Sequence, residues 1–226
     1  MNAIPGGPWL NLGSGQTGAE GWVHLDGSWQ TRLSRRPWLA RLSARLTGKT
    51  AIVWSQRVTY WDAGRGIPYA SASAAVVYAS HLLEHLYRDQ ALLLLREASR
   101  VLRPNGVCRV VVPDLAAIVR WYLEHREQTP RPAETSSDLL NELLGLRTPS
   151  GPGRGLLGLY RRWTDLDQHK WMYDEEGLAA LFREAGFERP VARGYLESDI
   201  PRELLAGVEK KERIEGGAGV CVECRK

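Results

Sequence analysis

The stretch from Leu10 to Asp26 constrains this chain more than any other. Two short apolar runs, Leu10–Leu12 and Val23–Leu25, flank a turn that carries Gly13, Ser14, Gly15 and Gly18, and the second run ends on Asp26. Glycines at a strand end allow backbone dihedrals and close approaches that a Cβ would forbid. A carboxylate at the end of the following strand can accept both hydroxyls of a ribose. The pattern therefore reads as strand, glycine turn, strand, with a nucleotide-type cofactor held at the carboxyl edge of a parallel sheet.

Gly13, Gly15 and Gly18 fit the dinucleotide spacing G-x-G-x-x-G, but the surroundings do not. That motif requires a full helix after the glycines and an acidic residue about 20 positions on. Asp26 follows Gly18 by eight residues, and Gly13 to Gly21 spans nine. A crossover with its helix needs roughly 10–12 residues or more. The first helix must be cut to about a turn, which leaves no helix N-terminus to hold a pyrophosphate. A cofactor without phosphates fits better, and an NAD-dependent oxidoreductase is disfavoured.

Several stretches together carry a family resemblance. The Leu10–Asp26 segment resembles motif I of class I S-adenosylmethionine-dependent methyltransferases, in the type 11-like subgroup with a compressed first crossover. The stretch Ala79–Leu86 resembles the segment after the family's fourth strand, and Leu95–Gly106 its following helix and turn. His169–Asp174, with Gly177 and Leu178, resembles the opening of the late helix, and Val220–Lys226 the last strand. The resemblance spans roughly residues 9–113 and 168–226. It implies a Rossmann-like α/β fold whose seven-stranded, mostly parallel sheet has its last strand antiparallel. It also implies S-adenosylmethionine as cofactor.

The 226 residues suit one such domain, 1–226, with 43% hydrophobic and 25% charged residues. No apolar run approaches the ~20 residues of a membrane helix, and Met1–Pro8 lacks the basic and apolar regions of a secretory signal. Three cysteines, an odd count, fit a reducing cytoplasm. Cys221 and Cys224 are spaced C-x-x-C but lie in an expected strand, where they face opposite sides. No second pair accompanies them, and no tight Asp/Asn cluster follows the fifth strand, so no metal site is expected. Residues 27–61 contain no Asp or Glu but seven Lys and Arg, interleaved with Trp29, Trp38, Trp54 and Trp61. This is either a surface for an anionic partner or a solvated amphipathic helix burying Leu39, Leu42 and Leu46. The net charge of only +4 favours the helix over nucleic-acid binding.

The candidate site residues fall at expected strand ends. The resemblance gives cofactor roles to Gly13, Ser14, Gly15 and Asp26, and to Asp62 and Ala63 after the third strand, with Asp62 an acceptor for the adenine amine; a helix or turn cap is the alternative for Asp62. The apolar run Ala74–Ser80 reads as a central strand buried on both faces. Ser80 and His81 lie at its end, above the switch point where open sheets bind ligands. Histidine is the residue type that ordinarily titrates near neutral pH, which makes His81 a candidate general base as well as a pocket wall. Ala91, Leu94, Leu95, Ala98, Val101 and Leu102 mark an amphipathic helix, Pro104–Gly106 turns the chain, and Val107–Val112 is the fifth strand. Asp114 beyond it is a candidate acceptor ligand or a helix cap. Residues 115–168 form a long excursion on the ligand side, read as a helical lid or acceptor wall, with a homodimer interface as the alternative. His169 is a second base candidate, and Trp171 and Tyr173 are candidate acceptor contacts. Asp174 caps a late helix, and residues 188–195 and 218–224 close the sheet.

The function expected is methyl transfer to oxygen or nitrogen of a small-molecule or sugar acceptor, as in biosynthesis. The alternatives are a cofactor-binding scaffold without turnover and a methyltransferase acting on nucleic acid or protein.

Overall fold

The computed structural model describes residues 6–28, 31, 38, 58–127, 135–146 and 168–226. Most of the basic segment 27–61 and the lid stretch 147–167 lie outside these residues.

Seven strands form one sheet: β1 (Trp9–Leu12), β2 (Val23–Asp26), β3 (Val58–Tyr60), β4 (Ala74–Ser80), β5 (Leu102–Pro113), β6 (Val191–Ala192) and β7 (Gly219–Arg225). Their order is β3-β2-β1-β4-β5-β7-β6, all parallel except β7, which runs antiparallel to β5 and β6. This is the expected class I arrangement. The order reverses between β1 and β4, so a crevice opens at their carboxyl ends. All seven residues of β4 are buried, as its apolar run requires of a central strand. Two strands differ from expectation. β5 starts at Leu102, before the expected Val107, because Leu102 pairs with Ala74 across a register shift that leaves Asn105 at φ +64°. β6 is only two residues long.

The first face of the sheet is covered by helices. α1 (Arg88–Val101) buries Ala91, Leu94, Leu95, Ala98 and Val101, the stripe set by three- and four-residue spacing. It packs with Leu10, Leu12, Val77 and Val110. α2 (Leu115–His125) and α3 (Ser136–Leu143) form the described part of the excursion. α4 (Glu175–Glu184) adds Leu178, Leu181 and Phe182 to the same core. Asp174 accepts from the Gly177 amide at 2.8 Å, and Glu175 and Glu176 oppose the positive end of the helix dipole.

The second face shows what the compressed crossover costs. No helix lies between β1 and β2, so that face of β1, β4 and β5 needs another cover. The chain between β6 and β7 supplies it. α5 (Arg202–Leu205) and its neighbours pack Ile200, Leu205, Val208 and Ile214 against Val76, Tyr78, Val107 and Cys221. Trp22, from the short crossover, packs edge-on against Trp9 and Tyr78 and donates its indole N–H to the Leu204 carbonyl at 3.0 Å. The strand period of two divides the cysteines as expected, with Cys221 facing this side and Cys224 the helices. All three cysteines are free, and burial pushes the Cys221 thiol up to about 12.

Arg109 locks the second cover to the sheet. It stands opposite Glu223 in the β5–β7 register and is fully buried. Its guanidinium grips Glu209 with two hydrogen bonds, at 2.7 and 3.0 Å, and reaches Glu223 at 3.1 Å. The carbonyls of Gly194 and Glu197 take its remaining N–H groups at 2.9 Å each. Among the described residues, no helix is long and apolar enough to cross a membrane.

Candidate functional site

The glycine turn and Asp26 build one another. Gly13 has φ +64° and Gly15 φ +57°, left-handed values that favour glycine. A Cβ at Gly13 would stand 3.0 Å from Leu82, so the turn also packs closely on the chain leaving β4. Asp26 is buried and accepts from the Gly15 amide and the Ser28 amide, each at 2.8 Å, one on each oxygen. A carboxylate offers about four lone-pair sites, so acceptor capacity remains for a ligand hydroxyl. His24 beneath it is fully buried, with Nε2 2.9 Å from the Ala19 carbonyl and Nδ1 3.2 Å from the Asn11 amide nitrogen. An Nε2–H tautomer satisfies both contacts.

A cavity of about 430 Å³ opens at this edge. Gly13, Ser14, Gly15, Asp26, Ser80 and His81, all candidates from the sequence, line it. Gln16, Thr17, Lys210 and Arg213 also line it and were not foreseen. Arg213 donates to the Ser80 hydroxyl at 3.2 Å. The basic run from Lys210 to Arg213 was the available signal, but nothing local in it tells that the second cover returns to the mouth of the crevice. The cavity thus carries one carboxylate and two cations around glycine backbone, which suits a zwitterionic ligand bearing its own carboxylate and hydroxyls.

The other expected residues fall elsewhere. Asp62 caps the turn Ala63–Arg65, accepting from the Gly64 amide at 3.0 Å and lying 3.5 Å from Arg65. Neither Asp62 nor Ala63 lines the cavity. Asp114 caps α2 through the Ala116 amide at 2.9 Å and bridges to Tyr173. Trp171 is half exposed, while Tyr173 is buried, with its hydroxyl pushed up to about 12 mainly by burial.

His81 occupies a left-handed backbone conformation, φ +54°, that few non-glycine residues adopt. Its amide donates to the Val111 carbonyl at 2.9 Å. Strain of this kind at a strand end is a recurrent feature of functional sites. Glu84 and His85 stand on a separate 3₁₀ turn, Leu83–His85, rather than on α1. His81 Nδ1 comes within 3.1 Å of Glu84 Oε1, yet without hydrogen-bond alignment. Glu84 is fully buried. His169 is brought to this cluster, not to the cavity lining: its ring meets His85 edge-on at 4.9 Å. The amides of Lys170 and Trp171 donate to the Glu84 carbonyl, and Lys170 Nζ to the His85 carbonyl. Burial lowers the His169 pKa most, with His85 and His81 acting the same way against the opposing pull of Glu84 and the Leu144 carbonyl.

Residues 39–110 match the family described as "Methyltransferase domain". No curated protein matches the chain. Similar solved structures include an S-adenosylmethionine-dependent methyltransferase from Thermotoga maritima, 18% identical, covering 99% of this chain and 84% of that one with a TM-score of 0.48. One from Mesorhizobium loti is 16% identical, covering 100% and 94% respectively, at 0.48. One from Archaeoglobus fulgidus is 13% identical, covering 99% and 87%, at 0.47.

Proposed function

We propose that this chain, a class I S-adenosylmethionine-dependent methyltransferase by its family match and sheet order, methylates an oxygen or nitrogen of a small-molecule or sugar acceptor. The observation that carries the reading is the cavity at the switch point, where Gly13, Gly15, Asp26 and the strained His81 meet.

When bound, the cofactor supplies a methyl already activated by its sulfonium. This chain's residues then have to bind, orient and keep water out. In our reading the Gly13–Gly15 backbone lies against the ligand and Asp26 accepts from ribose hydroxyls. Lys210 and Arg213 balance the carboxylate of the methionyl part. His81 takes the proton of a hydroxyl acceptor. Glu84 Oε1 lies 3.1 Å from His81 Nδ1, close enough for the buried side chain to orient the ring. α2 and α3 of the excursion supply part of the acceptor wall in the single domain 1–226, with Trp171 as an aromatic surface for a sugar or ring; residues 128–134 and 147–167 lie outside the described residues. Three free, buried cysteines fit a cytoplasmic setting.

The test is transfer of labelled methyl from S-adenosylmethionine to a panel of phenols, sugars and amines by the wild type and His81→Gln. Hydroxyl acceptors should be methylated by the wild type, with kcat about 10²–10⁴-fold lower in the variant. Transfer to a hydroxyl at equal rates in both proteins would remove His81 as the base. Transfer only to nucleic acid or protein would overturn the acceptor class.

A further inference from the structure

We propose that Glu84, His85 and His169 form a binding site for one divalent first-row transition-metal ion of the zinc type. The inference does not rest on that reading of the acceptor, and it shares with the methyl-transfer site the contact between Glu84 and His81.

Each of the three residues offers one ligand atom, and these atoms lie within 4.8 Å of one another. Two imidazoles and a carboxylate are a donor set that zinc and its neighbours accept, and they leave at least one position for water or another ligand. Donors bound at about 2.0–2.2 Å stand roughly 3.3 Å apart, so the side chains would close inward on the ion.

The polar groups give the second, independent observation. Glu84 is fully buried, and neither of its carboxylate oxygens receives a hydrogen bond. His85 Nδ1 and His169 Nδ1 are likewise buried without an aligned hydrogen bond, the Leu144 carbonyl acting on the His169 ring. Buried polar atoms are nearly always satisfied, and a buried cluster of unsatisfied ones calls for an occupant. A cation held among these residues satisfies the carboxylate and both rings together.

The backbone already holds the third ligand in place. The Lys170 and Trp171 amides donate to the Glu84 carbonyl at 2.7 and 3.3 Å, which docks the strap carrying His169 on the turn carrying Glu84 and His85. His169 donates its amide to the Gly145 carbonyl at 3.3 Å, and a Cβ at Gly145, φ +67°, would collide with the His169 ring. The ligands thus come from two distant segments already fixed against one another, and the ion would clasp them. His81, in contact with Glu84, connects this cluster to the cavity wall.

The experiment is calorimetric titration of zinc into the full chain, stripped with chelator and free of any affinity tag. Glu84→Gln, His169→Ala and Cys221→Ser are titrated alongside, and the wild type is also loaded with cobalt. One equivalent should bind to the wild type and to Cys221→Ser. Affinity should fall at least tenfold in both Glu84→Gln and His169→Ala. The cobalt protein should show visible ligand-field bands without thiolate charge transfer. If Glu84→Gln does not fold, His169→Ala with an unchanged far-ultraviolet spectrum decides the matter. No stoichiometric binding to the wild type, unchanged affinity in His169→Ala, or a thiolate band would each overturn the site.

Discussion

Arg109→Ala is expected to lower the stability of the fold by about 3–5 kcal/mol, the range for breaking a buried ion pair from one side. The substitution removes the only cation that the described structure places on Glu209 and Glu223 together, and leaves the two buried carboxylates facing each other. It also strands the carbonyls of Gly194 and Glu197, which anchor the second cover. Urea unfolding measures the loss as a lower midpoint. Arg109→Met combined with Glu209→Gln should recover part of it, because the remaining cost is mostly uncompensated charge. A midpoint within experimental error of wild type for Arg109→Ala would mean that the cover holds without its lock.

The second large effect falls on the cofactor. Asp26→Ala should weaken S-adenosylhomocysteine binding by about 1–3 kcal/mol through a lost charged hydrogen bond. The structure adds a reason beyond direct contact: Asp26 also holds the Gly15 amide and the Ser28 amide, so its loss frees the turn that lines the cavity. Asp26→Asn tests this. The amide side chain can serve one backbone N–H but must point its NH₂ at the other, so it should fall between wild type and alanine. Calorimetry on the three proteins gives the ranking. Unchanged affinity in Asp26→Ala would take Asp26 out of the site.

Much of this architecture was legible because it rests on local patterns. The seven-residue apolar run of β4, the glycine turn ending on Asp26 and the capped stripe of α4 each follow from spacing and chemistry within one segment. The shortened first crossover could be counted directly, and the first helix was expected to shrink to about a turn; the structure has no helix there at all. What could not be read is non-local. Nothing in the first crossover says that the chain after β6 covers the face it leaves bare, or that Lys210 and Arg213 arrive at the cavity with it. Arg109 and Glu223 offered a weak clue, a single charge in the middle of each of two buried strands, but pairing them needs the β5–β7 register. Asp62 and Asp114 show the reverse difficulty. A carboxylate at a strand end can cap a turn or meet a ligand, and here both make cap hydrogen bonds. His169 reads as a second base candidate, yet the strap hydrogen bonds carry it to Glu84 and His85 and not to the cavity lining.

The central claim is that the cavity at the β1–β4 switch point binds S-adenosylmethionine. Calorimetric titration of the purified chain with S-adenosylhomocysteine, and separately with NAD, tests it most directly. One-site, micromolar-range binding of S-adenosylhomocysteine and none of NAD is the expected result. Failure to bind S-adenosylhomocysteine, or binding of NAD in its place, would contradict it.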